Sequence, residues 1–245
     1  MDRLDIHNSE VPALCRSCEV RHKGICGALD AAQLLTLSKH TQQVRQSAGT
    51  ELIADDSEIR SYANVMRGVV KLSKMLEDGR QQVVGLQFAP DFLGRLYGKQ
   101  NTVSAEAASD VELCRIPKPA LERLVQDCPE LEHKLHEQAL RELDDARGWM
   151  LTLGRKTAAE KVASFLWLIA THIDPAAEAS RQMETASTIK FDLPLSRADI
   201  ADFLGLTIET VSRQLTKLRR DGVIEVINNR TVVVPDTERL ELRCG

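Results

Sequence analysis

The stretch Leu195–Val226, LSRADIADFLGLTIETVSRQLTKLRRDGVIEV, decides the fold of the C-terminal part of the chain. Ser196 followed three residues later by Asp199 reads as a capping box opening a short helix. Ile200, Ala201 and Leu204 give that helix one apolar face. Gly205 stands at the break, where a tight inter-helix turn needs a residue without a side chain. Thr207 caps a second helix, with Val211, Leu215 and Leu218 on its inner side. Glu209, Thr210, Ser212, Arg213, Gln214 and Lys217 fall on its outer side, and Arg219, Arg220 and Asp221–Gly222 close it. The following VIEVINNRTVVV predicts a β-hairpin turning at Asn228–Asn229. Two helices and a hairpin in this order predict a winged helix-turn-helix.

The outer side of the second helix suits reading of double-stranded DNA in the major groove. Arg213 can donate twice to a guanine, and Glu209 can accept from a cytosine amino group. Ser212 is small enough for close approach. Thr207 and Thr210 lie in the same first turn. Arg197, Lys217, Arg219 and Arg230 are candidate phosphate contacts. The bland alternative is a protein-binding winged helix with merely solvated charges. The alignment of polar groups on one face speaks against it.

Working back toward the N-terminus, DPAAEASRQMETASTI, residues 174–189, reads as a linker. Ahead of it, AEKVASFLWLIATHI is helical, opened by the pair Thr157 and Glu160. A long amphipathic helix of about twenty-five residues follows Pro129. Its apolar positions Leu131, Leu135, Leu143 and Met150 form a stripe suited to pairing with a second copy of the chain. Asp144 and Asp145 lie near that seam, and like charges there would weaken a dimer. Residues 30–118 begin with a short helix, DAAQLLTLSKH, and continue as short strands: QQVRQ, TELIA, ANVMRGVVKLSKML, QQVVGLQF, NTVSAEA and DVELCRI. EDGR, around Asp78, Gly79 and Arg80, is a hairpin turn. Strands of this length and spacing predict a jelly-roll. The domain reading is therefore a cysteine-bearing segment over 1–29, a jelly-roll over 30–118, a dimerisation helix region over 119–155 and a winged helix-turn-helix over 156–245. The class is α+β.

The N-terminal segment LCRSCEVRHKGIC holds three of the chain's six cysteines, Cys15, Cys18 and Cys26, spaced C-x2-C-x7-C. Such clustering suits a metal site. A fourth ligand has candidates in Cys114, Cys128 and Cys244. Cys114 lies on a strand, which can hold a thiolate rigidly. Cys128, on a helix, and Cys244, in the tail, read as incidental thiols. Spacing leaves an iron–sulfur cluster and tetrahedral zinc both open. His22 as a ligand and a Cys15–Cys18 disulfide switch are weaker options.

Composition sets the outer bounds. With 43% hydrophobic and 28% charged residues the chain reads as globular. No leader is visible at MDRLDIHNSE, and the apolar run Val162–Ala170 is too short to span a bilayer, so a cytoplasmic location without membrane association is expected. A net charge of −4 requires any DNA contact to come from a local basic surface. No P-loop, HExxH, GxSxG or triad is present. His133 and His136 sit on the acidic long helix as a solvated pair, and His7, His40 and His172 have no partner spacing. An enzyme is not expected.

A cysteine segment, a jelly-roll, a long helix and a winged helix-turn-helix containing E-T-V-S-R together resemble the Crp–Fnr family of bacterial regulators, along nearly the whole chain. Glu209, Ser212 and Arg213 resemble the Fnr branch. The cyclic-AMP receptor branch has glycine at the position of Ser212 and arginine at that of Ile208. The C-x2-C-x7-C spacing is similar to that of Fnr-type proteins of α-proteobacteria, with a longer second gap than enterobacterial members have. That departure bears on cluster stability rather than ligand identity.

The resemblance implies a 4Fe-4S cluster on Cys15, Cys18, Cys26 and Cys114. The last precedes Ile116–Pro117 as the family's central cysteine precedes an I-P pair. It implies an oxygen-responsive homodimer, mainly an activator, that binds TTGAT-N4-ATCAA-like palindromes when the cluster is intact. It also implies contact with RNA polymerase, for which the turn Asp78–Gly79–Arg80 is a candidate. In the cyclic-nucleotide branch a Gly-Glu pair holds the ribose and an Arg-Ser pair the phosphate. Here Gly94–Arg95 puts a base in place of the carboxylate, and NTVSAEAAS lacks the arginine, so cAMP binding is not expected.

Overall fold

In a computed structural model of the chain, residues 11–173 and 188–245 are described. The readings of MDRLDIHNSE, of His7 and of the linker over 174–187 lie outside these residues. Two compact units divide the chain: Met1–Leu72 with Leu86–Leu143, and Ser73–Gly85 with Asp144–Gly245.

The first unit opens with α1 (Ala13–Arg16), a single 3-10 turn at Ile25–Ala28, and α2 (Ala31–Ser38). Asp30 caps α2, accepting from the Gln33 amide while the Gln33 side chain reaches back to the Asp30 N–H. Strands β1 (Gln42–Gln46), β2 (Glu51–Ile53), β3 (Ser61–Arg67), β4 (Val69–Met75), β5 (Gln81–Phe88), β6 (Phe92–Leu93), β7 (Ser104–Ala107) and β8 (Val111–Pro117) follow. They form two four-stranded sheets, ordered β1-β8-β3-β6 and β2-β7-β4-β5. This is the expected jelly-roll.

The run ANVMRGVVKLSKML, which reads as one strand in sequence, is two. Gly68, at φ +86°, carries the chain from one sheet to the other, and a Cβ there would meet the Asp110 carbonyl oxygen at 2.3 Å. Ala63, Val65, Val70, Leu93, Ala105, Ala107, Val111 and Leu113 fill the space between the sheets.

Helix α3 (Lys118–Asp127) and the long α4 (Pro129–Arg155) come next. Leu131 and Leu135 are buried among Ile25, Leu34, Tyr62, Ile116, Leu121 and Val125. This corrects the expectation that they pair with a second chain, because their surface is already covered by their own unit. The exposed apolar residues of α4 are Leu140, Leu143, Met150 and Leu151. The predicted apolar face is real, but only its first part is covered, by the core of its own unit.

The second unit contains α5 (Ala158–His172), β9 (Ile189–Asp192), α6 (Arg197–Leu204), α7 (Ile208–Arg220), β10 (Glu225–Ile227), β11 (Thr231–Val234) and α8 (Thr237–Glu241). Capping boxes start α5 at Thr157 and α6 at Ser196. The wing is a three-stranded sheet, β10-β11-β9. Its strand β9 starts at Ile189, the last residue of the stretch that reads as linker, and IKFD is too short to show a strand period. Val162, Phe165, Leu166, Ile169, Ile200, Leu204, Val211, Leu240 and Val232 are fully buried or nearly so in this unit's core.

Candidate metal centre and nucleic-acid interface

The N-terminal segment has little regular structure and is pinned by a few apolar side chains. Val11, Val20, Ile25 and Leu29 are buried, and Cys15 and Cys26 lie against the same core. Two glycines let it fold tightly. A Cβ on Gly27 would stand 2.7 Å from the His22 carbonyl oxygen, and one on Gly24 would crowd the backbone of Pro90. Cys114 comes from β8, between Gln43 of β1 and Asn64 of β3.

These parts line an open pocket whose wall includes Cys15, Cys18, Cys26 and Cys114 together with Arg21, Gln43 and Asn64. All six cysteines are free thiols. Burial, and then the neighbouring Cys114, Cys18 and Cys15, push the Cys26 thiol up to about 12. Burial and then Cys18 and Cys15 push Cys114 up to about 11. Cys15 is raised by burial and by Cys18, against the opposing pull of Arg21. Cys18 is raised by burial. Burial raises all four thiols, and neighbouring thiols add to the rise at Cys15, Cys26 and Cys114, so their joint ionisation calls for a positive partner such as a bound metal would provide.

Arg21 is buried and stands 2.8 Å from the ring of the exposed His22. His22 itself does not line the cavity. Cys128 is buried in the apolar core beneath α4, its sulfur toward Glu130, and Cys244 lies in the second unit against the Leu240 carbonyl. Among the described residues no group of three or more His, Cys, Asp or Glu side chains is placed as it would stand around a bound metal ion. Four thiols lining one pocket are a donor set that suits a thiolate-held metal group.

In the second unit Gly205 turns the chain between α6 and α7 with φ +60°. Thr207 caps α7 by accepting from the Thr210 amide, and the two hydroxyls lie 3.1 Å apart. Val211, Leu215 and Leu218 face inward. Glu209, Ser212, Arg213 and Lys217 are exposed on the other side. Its own backbone N–H and the Thr207 hydroxyl hold the Glu209 carboxyl below the usual range, so it presents an ionised acceptor. Asn228 and Asn229 both take positive φ, 51° and 57°, as a two-residue hairpin turn with the strands' own twist requires.

Arg197 does not simply face solvent. It is half-buried and donates to the Asn229 carbonyl at 3.3 Å, bracing the wing turn against the start of α6. Arg239, which sequence alone did not single out, donates to the Asp221 and Gly222 carbonyls and holds the end of α7. Nothing in its neighbourhood of sequence announces that role, since its partners lie on another element.

Two family descriptions match the chain: a Crp-like helix-turn-helix domain over residues 160–243 and a cyclic nucleotide-binding domain over residues 43–128. A probable transcriptional activator of Rhizobium leguminosarum bv. viciae is 55% identical over 239 residues, covering 98% of this chain and 96% of that one. The chain belongs to the Crp/Fnr family. The transcriptional activator protein FnrL of Cereibacter sphaeroides is 40% identical to this regulator, covering 96% of this chain and 95% of that one. The structure of FixK2 from Bradyrhizobium japonicum superposes with a TM-score of 0.70 at 31% identity, covering 84% of this chain and 98% of that one.

This Crp/Fnr protein is thus a DNA-binding transcription regulator and not an enzyme. No helix among its described residues is long and apolar enough to cross a membrane. Its roll carries a second pocket lined by Ser61, Tyr62 and Arg115 among others. Gly94, at φ +147°, lies under the Tyr62 ring, where a Cβ would clash at 2.4 Å, and the neighbouring Arg95 is exposed.

Proposed function

We propose that this protein is an oxygen-responsive transcriptional activator. It works in the cytoplasm as a homodimer on TTGAT-N4-ATCAA-like palindromes, and its DNA binding depends on a 4Fe-4S cluster held by Cys15, Cys18, Cys26 and Cys114. The observation that carries the reading is the single cavity walled by those four thiols. When bound, the cluster supplies an oxygen-labile covalent tie among four thiolates. Cys15, Cys18 and Cys26 then fasten the N-terminal segment to Cys114 on the jelly-roll, and buried Arg21 offsets negative charge there.

The exposed residues Leu140, Leu143, Met150 and Leu151 of α4 offer the apolar surface for a second copy, with Asp144 and Asp145 beside it. Mutual repulsion of the acidic pairs keeps the dimer marginal, so a few kcal/mol decide its occupancy. A dimer presents two copies of α7 about one DNA turn apart. Glu209, Ser212 and Arg213 read bases, and Lys217 meets phosphate. The exposed turn Asp78–Gly79–Arg80, where Arg80 pairs with Asp78 at 2.8 Å, is the candidate contact with RNA polymerase. Arg95 stands where a ribose-binding carboxylate would be needed, which supports a regulator that does not respond to cAMP.

The test is iron, acid-labile sulfide and zinc per chain in protein purified without oxygen, followed by DNA binding before and after air. About four iron and four sulfide, lost in air together with DNA binding, is the expected result. One zinc and no sulfide would leave a DNA-binding regulator with a structural metal and a different signal. The second pocket of the roll would then be the place to look for a small-molecule ligand.

A further inference from the structure

Asn64 of β3 and Gln43 of β1 are polar residues of the jelly-roll that line the cysteine pocket, and Asn64 is the buried one of the two. It is 5% exposed, in a strand whose flanking residues Ala63 and Val65 are apolar and buried. Its Nδ2 donates to Cys26 Sγ at 3.6 Å, a normal distance for a sulfur acceptor. It also stands directly across the ladder from Cys114 in the β3–β8 pairing. Cross-strand neighbours project to the same face of a sheet, so one amide serves the space between two of the four thiols.

The other end of that amide is unsatisfied. Asn64 Oδ1 is buried and has no hydrogen-bond partner among the described residues. A buried acceptor left unpaired costs stability, and an apolar side chain of the same shape would avoid the cost. The fold alone therefore gives no reason for asparagine here. A metal-bound thiolate does. It only accepts hydrogen bonds, so it selects the N–H end of the amide, and the second N–H of the same group remains available to it.

Resting on the cluster reading above, we propose that Asn64 is a positioning residue for the cluster's thiolate ligands. Its N–H groups hold Cys26, and through the shared ladder position the neighbourhood of Cys114, in the ligating arrangement. They also draw electron density from the sulfur, which sets how easily the cluster is reduced and how fast air destroys it. It is not itself a ligand.

The experiment compares the full-length wild type with N64L, which keeps the shape and removes the donor, and N64D, which keeps the shape and replaces the donor by an anion. Two states of each are measured. Without metal, N64L should melt about 2–4 °C higher than the wild type, because the unpaired acceptor is gone. With cluster reconstituted in the absence of oxygen, the order should reverse. N64L should have a more negative reduction potential and lose its iron in air about tenfold faster, the effect expected of one hydrogen bond to a charged sulfur. N64D should retain still less iron.

Opposite signs in the two states are a signature that a purely structural role does not produce. If the wild type takes up four iron and four sulfide and N64L matches it in potential and in air decay, Asn64 has no such role and the cluster reading stands. If the wild type takes up no iron or sulfide at all, the cluster reading itself has failed and this proposal falls with it.

Discussion

Arg197 donates a hydrogen bond to the main-chain carbonyl of Asn229, thirty-two positions away, and so ties the first helix of the helix-turn-helix to the tip of the wing. A guanidinium used this way orients other groups for DNA. Arg197→Ala should weaken DNA binding several-fold at every sequence. The slope of log affinity against log salt should stay unchanged. A phosphate contact, in contrast, would lower that slope by about one when removed. Binding isotherms over a range of salt distinguish the two.

Lys217 and Arg213 both lie exposed on α7 but should fail differently. Lys217→Ala should lower affinity uniformly and reduce the salt slope by about one. Arg213→Ala should cost about 1–3 kcal/mol at the cognate half-site and relax the preference at one guanine. Competition binding with singly substituted half-sites measures this. An unchanged preference profile would remove Arg213 from direct readout.

The C-terminal unit was legible because each of its signals is local. Ser196 and Asp199, Thr207, Gly205 and Asn228–Asn229 each act within four residues, and the structure uses each as read. The strand run through Gly68 was not legible as two strands, because what forces the break is the approach of Asp110, far along the chain. The apolar stripe of α4 was legible as a stripe, but not as one buried stretch and one exposed stretch. Periodicity tells which face is apolar, not what covers it. Around the cysteine pocket the thiols stand out by residue type, whereas Asn64 is an ordinary polar residue in a strand until its partner from the N-terminal segment is known.

Gly68 and Gly79 both have positive φ, +86° and +84°. Nothing lies within 4 Å of a Cβ on Gly79, while Gly68 has the Asp110 carbonyl in the way. Gly79→Ala should therefore cost only the backbone strain, about 1 kcal/mol. Gly68→Ala should cost about 1–3 kcal/mol more. Chemical denaturation of the two variants side by side checks the difference.

Leu131 and Met150 were read from one stripe, yet Leu131 is fully buried and Met150 is 71% exposed. Leu131→Ala should destabilise the chain by about 2–5 kcal/mol at any protein concentration. Met150→Glu should leave the melting of the isolated chain nearly unchanged and shift sedimentation toward the monomer. Concentration-independent sedimentation equal to the wild type would exclude Met150 from the dimer surface.

Asp144 pairs with Arg147 at 3.1 Å, whereas Asp145 is exposed with no ion pair among the described residues. Removing Asp145 should relieve more repulsion in a dimer than removing Asp144. Asp145→Ala should accordingly keep DNA binding in air, and Asp144→Ala should do so less. Gel-shift assays before and after oxygen exposure report it. Oxygen sensitivity equal to the wild type in both variants would detach the acidic pair from the switch.

The placement of Cys114 on β8 imposes a timetable on biosynthesis. Three of the four cavity thiols leave the ribosome within a dozen residues of one another, and the fourth follows roughly ninety residues later. At ~5–20 residues per second that is a wait of roughly 4–18 s. Even then Cys114 gains its position only when β8 has inserted between β1 and β3. A nascent chain therefore carries an incomplete trio of thiols through about a third of its translation. On the cluster reading proposed above, iron delivered before the roll closes would meet an incomplete site, and insertion would be a late event timed by the closing of a sheet.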